Sequence, residues 1–248
     1  MKIMNHLKSI FLTSALISGL SFTANAEINV VASVKPVHSL VSGVMDGVGK
    51  PDLIVQGSAS PHTYSLRPSQ ARQLEDADLV FWMGHELESF LEQPLEAIAT
   101  KAHVVELIDS SKLKKIQMRE GGMFDAHAHD DHDDHDEHEG HDDHGHGEFD
   151  VHVWLDPENA KVLVNEIKLA LIELDPVNAS KYEANSTKMN TKLAQLIDEV
   201  SNKLESEQGK GYVVFHDAYQ YFEQRFGMSA VGSITVSPEV VPGANRIR

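Results

Sequence analysis

The chain has 248 residues, 41% hydrophobic and 24% charged, with a formal net charge of −17, and this length suits one large domain or two small ones. It contains no cysteine, which excludes disulfide bonds and a lipid anchor on cysteine. The acidic balance argues against nucleic-acid binding, because that function needs a basic surface.

The N-terminal residues 1–26 have the pattern of a secretory signal peptide. Lys2 and Lys8 provide positive charge, an apolar run covers 10–22, and an A-x-A cleavage motif ends at Ala26. The apolar run is too short and too rich in Ser and Thr to make a good transmembrane helix. We therefore expect an exported, soluble protein, which in a Gram-negative cell lies in the periplasm.

Apolar runs alternate with helical patterns over 27–120. Strands are predicted in INVVAS, DLIVQG, DLVFWMG and HVVEL, and helices in PVHSLVSGVMDG, SQARQLEDA and ELESFLEQPLEAIAT. Strands that alternate with helices indicate a parallel sheet covered by helices. We therefore predict an N-terminal α/β lobe over 27–120.

A segment of extreme composition follows at 121–149. Between 125 and 148 it has eight histidines, eleven acidic residues and no aromatic or β-branched residue. Such a segment cannot bury an apolar face, so we expect a disordered loop. Its side chains can hold metal ions loosely, and a solvated acidic linker is the alternative. The accessory metal-binding candidates are His127, His129, His132, His135, His138, His141, His144 and His146.

The second half of the chain is predicted to begin with a last strand of the first lobe and a turn, over 150–156. Two Asp-Pro pairs then predict helix starts, the first for a helix over 157–174 and the second for a longer charged helix. The region 175–248 is predicted as a C-terminal α/β lobe, with a short helix closed by Gly227 between two strands. Two strands make a poor independent core, so we expect this lobe to be incomplete.

Six histidines outside the signal peptide and the loop are candidates for chemistry. His62, His152 and His216 follow strand patterns or precede a helix, where α/β sheets bind ligands. Three neutral imidazoles with a water or carboxylate form a normal Zn²⁺ site, and Asp217 is placed to orient His216. Their long gaps carry no metal signature, and a single histidine is more often packed or solvated. The other three are expected to be structural or solvated, namely His38, His85 and His103.

Several motifs resemble one known family. They are PHTYSLRPS, ADLVFWMG, the His/Asp-rich insert, HVWLDPENA, KGYVVFHDAYQYFEQRFG and VSPEVVPGANRIR. Together they are similar to the zinc-uptake substrate-binding proteins of ABC transporters, the periplasmic cluster A-I family. The resemblance implies two α/β lobes joined by one long rigid helix, assigned here to 157–174, with the metal between the lobes. It also implies that the metal ligands are His62, His152 and His216.

The resemblance favours zinc as the transported ion but has departures. The family's manganese binders carry Glu at the third ligand position, where this chain has His216, and nitrogen-rich sites suit zinc. Pro61 stands where close zinc-binding relatives can carry Glu, so the fourth ligand is a water or another carboxylate. The family's last strand and helices, with an acidic residue that faces the metal, have no counterpart after Arg248.

The implied function is a monomeric binding protein that captures Zn²⁺ in the periplasm and delivers it to an inner-membrane ABC permease. We expect the loop to capture or buffer zinc for the buried site. The alternatives are a histidine-rich zinc buffer or chaperone without a permease, a manganese-type solute-binding protein, and a zinc hydrolase. The hydrolase is disfavoured because no H-E-x-x-H or similar motif is present, and we expect no enzymatic activity.

Overall fold

The structure, a computed structural model, describes residues 28–119 and 149–235. Three predicted features lie outside the described residues: the signal peptide over 1–26, the loop with its eight candidate histidines that we expect to be disordered, and the expected incomplete chain end. Two separate sheets are present in the described part, both parallel. This confirms the predicted α/β class. None of the described helices is both long and apolar enough to cross a lipid bilayer.

Four short strands form the first sheet, and they are β1 (Val30–Ala32), β2 (Asp52–Leu53), β3 (Leu79–Trp82) and β4 (His103–Glu106). Their order is β2-β1-β3-β4. The central strands β1 and β3 are buried at every residue, as expected where helices cover both faces of a parallel sheet. All four carboxyl ends therefore lie along one edge, which is the edge where α/β proteins bind ligands.

Three helices belong to the first lobe, and they are α1 (Lys35–Val44), α2 (Pro68–Asp76) and α3 (His85–Ala97). Proline occupies the first turn of α1 and α2, where its missing N–H costs nothing. The buried face of α1 has helical spacing and consists of Val37, Leu40, Val41 and Val44. The helices predicted from these sequences are confirmed.

Two long helices follow, α4 (Pro157–Leu174) and α5 (Ala179–Leu204). The Asp156 carboxylate accepts the Glu158 N–H at 2.9 Å, so the Asp-Pro pair caps α4 as predicted. Both helices pack against α1 and against each other. The helix that leads into the second sheet is α5. The family resemblance assigned the linking helix to 157–174, which is α4. This assignment stays a prediction, because α5 could equally be the linking helix.

The second lobe contains β5 (Gly211–Val214), α6 (Gln220–Phe226) and β6 (Ser229–Ser233). The two strands are parallel with a register shift after Tyr212, so the three elements form one β-α-β unit. Gly227 adopts a left-handed φ of 68° and ends α6, as predicted, because glycine adopts this conformation without steric cost.

The strand predicted over 150–156 is wrong. Val153–Leu155 form a short 3-10 helix, and the nearest strand-like feature is an isolated bridge at Phe149. The Asp150 carboxylate accepts the backbone N–H of His152 at 3.0 Å, which closes a local turn in place of a strand pairing. Val153 is therefore buried by a turn that leads directly into α4, while Val151, Trp154 and Leu155 are partly buried.

Candidate metal centre

Three histidines converge between the two lobes. One ring nitrogen from each of His62, His152 and His216 lies within 4.8 Å of those from the other two. The ring centroids are 5.5 to 6.3 Å apart, and all three residues are half-buried. The structure thus brings together the three residues that the sequence singled out, across long sequence gaps.

His62 lies on a short 3-10 helix, Pro61–Thr63, beyond the carboxyl end of β2. The Ser60 hydroxyl accepts the His62 backbone N–H at 3.3 Å, and Pro61 fixes the first turn. The following residues are tied back to the sheet, because the Gln70 amide donates to the Ile54 carbonyl. The His62 backbone is therefore held from both sides by first-lobe contacts.

His152 has the most completely defined surroundings of the three. Its Nδ1 lies 2.7 Å from an oxygen of Asp150, which is fully buried. An ionised carboxylate can only accept, so Nδ1 carries the proton and Nε2 keeps its lone pair for a metal. The Trp154 ring packs against the His152 ring at 5.4 Å between centroids. Asp150 is not among the site residues predicted from the sequence, although the Asp-x-His spacing is a usable signal.

His216 comes from the second lobe, two residues beyond the end of β5. Its carbonyl accepts the Ala218 N–H at 3.0 Å, so the chain turns immediately after it. The residue before His216 still pairs as in a strand, because the Phe215 carbonyl accepts the Thr235 N–H at 2.8 Å. His62 and His216 therefore both follow strand ends, as predicted, while His152 lies in the turn before α4.

A buried ionic cluster lies beside His216. The Arg119 guanidinium, from the first lobe, binds both Asp217 and Glu223 of the second lobe. Burial disfavours the charge, but the hydrogen bonds to both carboxylates outweigh it and raise the pKa of Arg119 above its ordinary value, so it stays charged. The expected role of Asp217 in orienting the His216 ring stays a prediction.

Three more side chains of α6 bind residues of the first lobe. Arg225 forms a bidentate pair with Asp156, at 2.6 and 2.7 Å. Tyr221 donates its hydroxyl proton to the Asp150 carbonyl at 2.7 Å, and Gln220 donates to the Asp150 carboxylate at 3.2 Å. These pairs are about 70 residues apart in sequence, and no local pattern could have revealed them.

The remaining histidines of the described chain lie elsewhere, as expected. His38 contacts the Pro51 carbonyl at 3.0 Å, His85 contacts Glu92 at 2.9 Å, and His103 begins β4. In residues 28–119 and 149–235, the three-histidine cluster is the one group of potential ligand side chains close enough to share an ion. Three imidazole nitrogens form a donor set that suits a borderline-soft divalent metal such as Zn²⁺.

The fold and this donor set define a two-lobe metal-binding solute-binding protein. A solved structure with the same architecture is the periplasmic zinc binding protein TroA from Treponema pallidum, with a TM-score of 0.70 and 20% identity. The match covers 90% of this chain and 72% of that one. At this identity the likeness shows the fold alone.

Sequence comparison gives the family. The family model described as "Zinc-uptake complex component A periplasmic" matches residues 30–248. The high-affinity zinc uptake system protein ZnuA of Brucella abortus is 50% identical, covering 99% of this chain and 79% of the relative. That of Yersinia pestis is 39% identical, covering 97% and 76%. The chain belongs to this family of periplasmic zinc-uptake components.

Proposed function

We propose that the protein captures zinc ions in the periplasm and delivers them to an inner-membrane ABC permease. The observation that carries this proposal is the convergence of His62, His152 and His216 within 4.8 Å. Tetrahedral zinc needs ligand nitrogens roughly 3.3 Å apart, a spacing that small rotations of these rings can reach. The family membership supports the transport role.

Zinc fits the donor set better than manganese does. All three converging side chains offer imidazole nitrogen, whereas Mn²⁺ sites favour carboxylate, carbonyl and water oxygens. Asp150, the acid bound to His152, already accepts from His152 and Gln220. A manganese-type binding protein is therefore the weaker alternative, and the fourth position of the site is open to water or to a carboxylate.

The positions of the site's acids also favour binding over catalysis. A zinc hydrolase needs a general base within hydrogen-bond reach of the metal-bound water. Both Asp150 oxygens are occupied by His152 and Gln220, and Asp217 is paired with Arg119. Asp150 orients His152 and Asp217 joins the lobes, so we infer a carrier without enzymatic activity. We also propose that it acts as a monomer.

The histidines of 125–148 are proposed as accessory zinc-binding sites. Eight imidazoles among eleven acids can bind zinc weakly in many arrangements and raise its local concentration. We propose that this segment collects zinc for the three-histidine site. A histidine-rich buffer without a permease is the competing function, and zinc uptake that does not depend on a permease would favour it.

A zinc titration of the metal-free chain lacking 125–148, by calorimetry against a competing chelator, tests the proposal. We expect one tight site, weakened more than about 100-fold in His62→Ala or His216→Ala, because losing a ligand costs more than losing an orienting partner. His103→Ala, an exposed histidine at the start of β4, is the matched control. A tight site that survives both ligand substitutions would contradict the proposed site.

A further inference from the structure

The three candidate ligands differ in which lobe supports them. His62 and His152 are both held by first-lobe contacts, so their separation is set within one packed unit. His216 is carried by the second lobe. Its distance from the other two therefore depends on how the second lobe is docked, and contacts across the lobes become part of the site.

Arg119 makes such a contact directly beside His216. Its Nε and Nη2 bind the two oxygens of Asp217, the residue after His216, with Nε at 3.0 Å. Its Nη1 and Nη2 bind the two oxygens of Glu223 at 2.8 and 3.1 Å. One guanidinium thus forms two bidentate pairs with carboxylates of the second lobe, a geometry that fixes direction as well as distance.

The burial of the partners makes this contact hard to replace. The side chains of Asp217 and Glu223 are 7% and 6% exposed, and that of Arg119 is 24% exposed. Glu223 also accepts the Ala230 N–H of β6 at 3.2 Å. Removal of the guanidinium would leave two buried like charges facing each other, which forces local rearrangement next to His216.

Arg119 is also connected to the surroundings of His152. The Ile116 N–H donates to the Tyr221 hydroxyl at 3.0 Å, and that hydroxyl donates to the Asp150 carbonyl. Asp150 in turn donates its N–H to the Ile116 carbonyl at 2.8 Å. The segments that carry Arg119 and Asp150 therefore lie side by side against α6. The same group of contacts supports both His152 and Asp217, the residue after His216.

We propose that Arg119 is a positioning residue of the metal site: by binding Asp217 and Glu223 across the lobes, it holds His216 at the distance where all three imidazoles reach one ion. This inference rests on the proposed function. It predicts that Arg119 slows zinc release, because an ion leaves when the second-lobe ligand separates from the first-lobe pair. Arg119 itself donates no lone pair and does not touch the metal.

The test measures zinc dissociation from the full chain loaded with one equivalent of Zn²⁺, using a chelator in stopped flow. The slow phase that is absent in His62→Ala belongs to the three-histidine site, and faster phases belong to other sites. Arg119→Met is expected to speed the slow phase by about 10- to 100-fold, the cost of losing an orienting partner. Arg119→Lys is expected to give an intermediate rate, because an ammonium keeps the charge but loses the bidentate fork.

Lys114→Met is the matched control. Lys114 lies on the same segment and reaches the same helix, with Nζ 3.0 Å from Gln224 Oε1, but this contact is exposed. Its slow phase is expected to match that of the wild-type chain. Cobalt(II) absorption gives a second readout, because the d–d bands report ligand geometry, and only the Arg119 variants should change them.

Several outcomes would overturn the inference. It fails if Arg119→Met lowers only the melting temperature of the metal-free chain, while the slow phase and the cobalt spectrum stay at wild-type values. If Arg119→Met does not fold, Arg119→Met with Glu223→Gln removes the charge imbalance, and wild-type release from that variant would equally contradict it. A wild-type chain without the slow phase would contradict the proposed function as well.

Discussion

The first lobe encloses its central strands completely, whereas the second lobe leaves apolar side chains of its two strands open to solvent among the described residues. Phe81 of β3 is fully buried, while Phe215, just after β5, is 56% exposed. Val213 and Val231 of the second sheet are 55% and 58% exposed. A parallel sheet normally has both faces covered, so the described second lobe has much less packing of its own.

This difference explains how the site is supported. The proposed ligands on the well-packed lobe are held by local hydrogen bonds, as with Asp150 and His152. We propose that the ligand on the less packed lobe, His216, is held by contacts to the first lobe, as where Arg119 binds the adjacent Asp217. The charged pairs Arg119–Asp217, Arg119–Glu223 and Arg225–Asp156 therefore help to hold the second lobe against the first.

The largest contrast is expected in stability. Phe81→Ala should lower the free energy of unfolding by about 3–5 kcal/mol, because it leaves a cavity in a packed core. Phe215→Ala should change it by less than about 0.5 kcal/mol, as for other exposed positions. Denaturant unfolding measures both, and equal losses for the two variants would show that the lobes do not differ in packing as described.

A smaller effect is expected from the partner of His152. Asp150→Asn should weaken zinc binding by about 10- to 100-fold, because the neutral amide accepts less strongly from the imidazole and makes it a poorer ligand. Competition titration against a chelator measures this loss. Asp52→Asn, at an exposed position, is the control. Unchanged zinc affinity in Asp150→Asn would show that Asp150 does not support His152 as a ligand.

The smallest effect concerns an acid enclosed in the first lobe. Glu88 is fully buried and accepts the Met83 and Gly84 N–H groups at 2.6 and 3.2 Å. Burial raises the pKa of Glu88 to about 7, and these hydrogen bonds offset only part of that rise. In the unfolded chain the same group titrates near 4.5, so between these pH values the folded chain holds an extra proton.

Folding stability should therefore fall as pH rises through that window, since the unfolded state binds fewer protons there. Glu88→Gln removes this contribution, and its stability should fall by about 1–2 kcal/mol less than that of the wild type between pH 6 and 8. Urea unfolding at several pH values measures the slope, with the exposed Glu75→Gln as control. Identical slopes for wild type and Glu88→Gln would contradict the raised pKa.

Local signals made most of the fold predictable. The Asp-Pro pair at Asp156 caps α4 through its own side chain, and Gly227 ends α6 through its own φ, so neighbouring residues determine both boundaries. The stretch 150–156 was misassigned as a strand because its alternating apolar residues satisfy a strand pattern. The carboxylate of Asp150 instead accepts the backbone N–H two residues on and closes a turn.

The site was predictable in a different way. The spacing of His62, His152 and His216 has no metal signature. The family resemblance was therefore needed to select them as candidate ligands. Arg119 could not, since its partners Asp217 and Glu223 are 98 and 104 residues away. Such pairs form only when the lobes pack together, and neither the composition nor the periodicity of the sequence predicts how they pack.

Zinc K-edge X-ray absorption, on the chain lacking 125–148 and loaded with one equivalent of Zn²⁺, would identify the atoms that bind the ion in the three-histidine site. We predict three imidazole nitrogens at about 2.0–2.1 Å and one oxygen donor. His216→Ala should lose one imidazole from the shell, while His103→Ala should leave the spectrum unchanged. A shell dominated by oxygen, or one unaffected by His216→Ala, would contradict a site built from three histidines of two lobes.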